Sequence, residues 1–188
     1  MHPREQEHLL NAHQAGGHWT HLALVGWATF GPGLYALLLG AGWWTARHRH
    51  AAVMAAAIWA PLGVIAAVLV NQPIEQMPTV RLPMSHGMAG HPAELPAPSD
   101  HAAVAAATAT GLLIANRRLG LVAAGTAVLM ALTFAVGGVP LEDIAGGAVV
   151  GVTVTLIGFV LFEGPVRRLV ARARRTRLRP IAGPGKVS

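Results

Sequence analysis

Five apolar runs, each closed by polar or turn-forming residues, decide what this chain can fold into. They are His21–Trp44, Ala51–Val70, His101–Ala115, Leu119–Val136 and Ile144–Phe162. About 20 helical residues cross a bilayer's hydrocarbon core, and most of the runs reach or approach that length. The third is short unless it begins at Ser99. Lipid offers no water to a free amide or carbonyl, so such spans close their backbone hydrogen bonds internally, as helices. Only 12% of the residues are charged, against about 25% in soluble domains. The expected fold is all-α, a polytopic membrane helix bundle of about five transmembrane helices. A polar segment over 1–20 precedes the transmembrane domain over 21–163, and a basic tail over 164–188 follows it.

Details within the runs fit that reading. Gly31-Pro32-Gly33 and Pro61 interrupt the first two, as membrane helices tolerate when neighbours satisfy the freed backbone groups. Trp19 and Trp43-Trp44 stand where interfacial anchors belong. Gly147 to Gly151 is made of small residues that let helices approach closely. Cysteine is absent, which removes disulfides, thiolate nucleophiles and cysteine metal sites. Residues 1–18 lack the charged-then-apolar order of a cleavable signal peptide, so the first run is expected to direct insertion.

Charge sets the orientation. Arg47 and Arg49, Arg117 and Arg118, and the eight basic residues from Arg167 to Lys186 fall on one side of a five-helix path. Arg4 and Arg81 fall on the other, with seven of the eight acids. The positive-inside rule then puts the N-terminus outside and the C-terminus in the cytoplasm. It also puts the break Asn71–Asp100 and the turn Gly137–Asp143 together on the outer face. The net charge of +6 is concentrated beside a membrane span, which argues for anionic headgroups at the tail rather than nucleic acid.

The chemistry gathers at Pro98-Ser99-Asp100-His101, where a polar loop opens an apolar helix. Helix N-termini favour phosphate, and a histidine there can take or give a proton near neutral pH. Pro-Ser-Asp-His in this frame, with Gly138-Val139-Pro140-Leu141-Glu142-Asp143 and Gly147 further on, resembles the phosphatidic acid phosphatase type 2 (PAP2) superfamily. Its bacterial undecaprenyl-diphosphate phosphatases look nearest. That family carries Lys-x6-Arg-Pro, Pro-Ser-Gly-His (or Pro-Ser-Asp-His) and Ser-Arg-x5-His-x3-Asp. The resemblance runs from about Val53 to Phe162. It implies a bacterial plasma-membrane protein acting on a lipid phosphate or diphosphate at the outer face, without a cofactor.

Carried over residue by residue, the resemblance places a proton donor at His101, an orienting carboxylate at Asp143, and phosphate-side groups at Ser99 and Asp100. The nucleophile position holds Val139 and the third-motif arginine position holds Thr133. The first-motif lysine and arginine positions hold Glu75 and Leu82, next to Pro83, with Arg81 one residue away as a substitute. Phosphoryl transfer needs positioned cations and an activated nucleophile, so the family mechanism cannot run unchanged. The favoured reading is a divergent or catalytically impaired member that binds a lipid phosphate. An alternative is an active phosphatase in which His86 or His91 replaces the nucleophile. A third is a scaffold or copper-binding membrane protein using Met77, Met84, His86, Met88 and His91. Plain helix capping is the competing account of Asp100, Glu142 and Asp143.

Overall fold

The computed structural model describes residues 3–75 and 99–173, the side chains of 3–18, 20 and 75 excepted. Five helices follow in order: α1 (Pro3–Ala46), α2 (Ala51–Glu75), α3 (Asp100–Ala115), α4 (Arg117–Val136) and α5 (Leu141–Ala173). No strand occurs among the described residues. Four helical stretches are long and apolar enough to cross a membrane: His21–Ala46, Ala51–Ile74, Arg117–Val136 and Leu141–Ala173. Large apolar side chains such as Phe30, Leu37, Val128 and Val160 point outward and stay exposed. In water such a surface would be an aggregation liability; against acyl chains it is already solvated. The chain therefore has the build of a multi-pass membrane protein.

α3 has sixteen residues, about 24 Å at 1.5 Å per residue, shorter than the usual span. It lies in the middle of the bundle, with nine of its sixteen residues buried. Small residues bring α2 and α5 against it. A Cβ on Gly111 would strike Ala60, one on Gly151 the Ala103 carbonyl, and one on Gly147 the Ser99 carbonyl. Trp59 of α2 donates through Nε1 to the Thr155 carbonyl of α5 at 3.0 Å and stacks on Phe162.

The connections are short and closed by named groups. Asn116 caps two helices at once. Its N–H donates to the Leu112 carbonyl at 2.6 Å and its side chain accepts from Arg118 N at 3.2 Å. Between α4 and α5, Gly138 has φ +90°. The Val139 N–H donates to the Phe134 carbonyl and the Gly138 N–H to the Ala135 carbonyl, the bond pair of a Schellman motif.

Three boundaries differ from the sequence reading. The break expected from Asn71 starts later, because α2 runs through Pro73 to Glu75. The N-terminal polar segment is continuous with α1 from Pro3. α5 passes Pro165 and reaches Ala173, since Val170, with Val166 beside it, packs onto Ala46, Met54 and Ala115. The helix thus takes in the first residues assigned to the tail. The paths bring the end of α2, the start of α3, the end of α4 and the start of α5 to one end of the bundle. The arginines with described side chains (Arg47, Arg49, Arg117, Arg118, Arg167, Arg168, Arg172) belong to the opposite end.

Candidate functional site

Ser99 holds the site together through its backbone. It is the N-cap of α3, with φ −65° and ψ 119°. Its Oγ accepts from Ala102 N at 3.5 Å and its carbonyl accepts from Ala103 N at 3.0 Å. That leaves the amides of Asp100 and His101 without an intrahelical partner. Ser99 N donates to the Asp143 carbonyl at 2.9 Å, tying the start of α3 to the start of α5. Gly147 lets this approach happen, since a side chain there would meet Ser99. So the structure does bring Ser99 and Asp143 together, through the Asp143 carbonyl rather than its carboxylate.

Asp100 is not the cap that a sequence reading allows; it lies in the first turn. Its carboxylate accepts from Asn71 Nδ2 at 2.7 Å. Asn71 is fully buried at the end of α2, so this bond clamps α2 to α3 at the point where the chain leaves for residue 76. His101 is exposed and packs edge-on against Phe134 of α4, ring centroids 5.6 Å apart.

Asp100 and His101 stand at a cavity of about 240 Å³ whose other walls are apolar: Trp27 and Pro32 from α1, Val68 from α2, Val104 from α3 and Met130 from α4. Tyr35 also lines it. The Tyr35 hydroxyl is buried and faces Thr126 without meeting hydrogen-bond geometry. A greasy slot with an imidazole and a carboxylate at one side suits an amphiphile with a compact polar head.

Val139 and Thr133 fall differently. Val139 packs on the cluster of Tyr35, Ala102, Phe134 and Ile144. It supplies the apolar contact that accompanies a Schellman motif, so the expected nucleophile position serves the α4 cap. Thr133 donates to the Leu129 carbonyl at 2.9 Å. It lines a separate depression with Trp19, Ala23 and Val136, not the His101 cavity.

Arg81, His86, His91, Leu82, Pro83 and the methionines Met77, Met84 and Met88 lie outside the described residues. Among the described residues no group of three His, Asp or Glu side chains is placed to hold a metal ion. No family model, characterised protein or solved structure matches the chain.

Sequence reasoning missed Asn71, Tyr35 and Phe134 as site residues. Asn71 carried a signal: an amide closing an apolar run needs a partner if the helix continues, because a buried polar group without one is costly.

Proposed function

We propose that this chain is a divergent PAP2-like membrane protein that binds a lipid phosphate or diphosphate at the start of α3 without hydrolysing it. The observation that carries the reading is Ser99-Asp100-His101 opening α3 at the mouth of an apolar cavity. The headgroup meets the two first-turn amides and the His101 imidazole, in the manner of anions at helix N-termini. The acyl or isoprenoid chain lies along Trp27, Val68 and Val104. One oxygen of the Asp100 carboxylate is engaged by Asn71 Nδ2, which fixes the side chain toward α2. Arg81, on the connection between α2 and α3, is the nearest basic residue in sequence to this end. The arginine asymmetry supports placing this end at the outer face of a bacterial plasma membrane.

Val139 and Thr133 support binding over turnover. One position is spent on the α4 cap and the other faces away, so neither supplies the nucleophile or the cation of the family mechanism. The test is equilibrium binding of undecaprenyl diphosphate and of undecaprenol to the purified chain in detergent. The phosphorylated lipid is expected to bind at least about tenfold more tightly, with the preference lost in His101→Ala. Equal binding of both lipids, or a preference unchanged by His101→Ala, contradicts the proposal.

A further inference from the structure

At the arginine-rich end, a second groove runs between α1 and α2. Leu39, Gly40 and Trp43 form one wall and Ile58, Pro61 and Leu62 the other, around a volume of about 410 Å³. It is apolar and open on one side, and it shares no residue with the His101 cavity. One helical turn beyond Trp43 the chain enters Arg47-His48-Arg49-His50. Arg47 is held there. Its N–H donates to the Trp43 carbonyl at 3.1 Å, its guanidinium lies over the Trp44 ring at 3.2 Å, and its Nε donates to His48 Nε2 at 3.0 Å. Trp43 and Trp44 are themselves in ring contact, centroids 6.3 Å apart. A groove wall and a fixed cation are thus neighbours on one helix end.

We infer that this groove is a binding site for an anionic phospholipid of the leaflet at the arginine-rich end. An acyl chain fills the space between α1 and α2, and the phosphate meets the Arg47–His50 turn. Charge complementarity selects the occupant. Each basic residue near an anionic headgroup contributes about fivefold in affinity, and the arginines at 117, 118, 167, 168 and 172 share the same end. A zwitterionic lipid offers the same acyl chain without the net charge. The inference does not rest on the proposed function, which concerns the opposite end.

Gly40 gives a clean probe, because a Cβ built there meets nothing within 4 Å. Gly40→Phe therefore adds an aromatic side chain to the groove wall with no clash at its Cβ. Gly125→Phe, equally unobstructed but on α4, is the matched control. Native mass spectrometry of the purified chain, titrated with dioleoyl phosphatidylglycerol or dioleoyl phosphatidylcholine, reads the result. The wild-type chain and Gly125→Phe are expected to retain phosphatidylglycerol at least about fivefold better than phosphatidylcholine. Gly40→Phe is expected to weaken both lipids, and Arg47→Gln with Arg49→Gln to lower the preference at least about fivefold while leaving phosphatidylcholine binding unchanged. Equal retention of the two lipids by the wild-type chain, or Gly40→Phe binding like Gly125→Phe, overturns the inference.

Discussion

Single residues at the α3 end divide into those that build the site and those that displace it. Asn71, fully buried, and Asp100, half-buried, form a clamp at 2.7 Å. Asn71→Leu leaves the carboxylate without that donor, so we expect a loss of about 1–3 kcal/mol, read as a lower midpoint of thermal unfolding in detergent. An unchanged midpoint would show that the clamp contributes nothing. Val139 marks the opposite case. Motif alignment alone makes it a missing nucleophile, whereas its contacts make it the apolar member of a helix cap. Val139→His puts an imidazole four residues before Asp143. It is expected to lower stability by about 1–3 kcal/mol and to release no phosphate from phosphatidic acid, because Thr133 lines another depression. That Ser99, Asp100 and His101 open α3 was legible in the sequence. Their partners were not, because Asn71 sits 29 residues from Asp100 across a connection that sequence periodicity says nothing about.

At the scale of elements, the apolar runs were legible because lipid leaves a helix few alternatives. The ends were less so. Apolar character stops at Val70, yet α2 continues to Glu75, since the bond to Asp100 offsets the polarity of the buried Asn71. Likewise α5 persists among arginines because Val166 and Val170, one turn apart, both meet the core at that end. The short α3 depends on glycine at the crossing with α5. Gly151→Val drives a side chain into the Ala103 carbonyl, and overpacking of this kind costs about 1–3 kcal/mol. Thermal unfolding should show that loss, while Gly33→Val, in open space on α1, should stay within about 0.5 kcal/mol of the wild-type chain. Comparable effects at both glycines would mean that the crossing is not close packed.

For the molecule as a whole, polarity is organised by end. Ser99, Asp100, His101, Glu142 and Asp143 meet at one end, and the seven described arginines are carried at the other. The proposal that the arginine end faces the cytoplasm rests on the positive-inside rule. The chain has no cysteine, so single cysteines report topology directly. Glu142→Cys should react with an impermeant maleimide in intact cells, and Arg118→Cys only after lysis; the reverse pattern would invert the orientation. This grouping of ends followed from counting spans and arginines. The cavity beside His101 did not, because four helices each supply part of its wall, and no single run records that.

Binding without hydrolysis is the central claim, and phosphate release tests it most directly. The purified chain would be incubated in detergent with undecaprenyl diphosphate and with phosphatidic acid, alongside His101→Ala and the cavity-filling Val104→Trp. The account predicts no release above the detergent blank from any of the three proteins, while the wild-type chain binds the phosphorylated lipid more tightly than either variant does. Release by the wild-type chain that disappears in His101→Ala would contradict it.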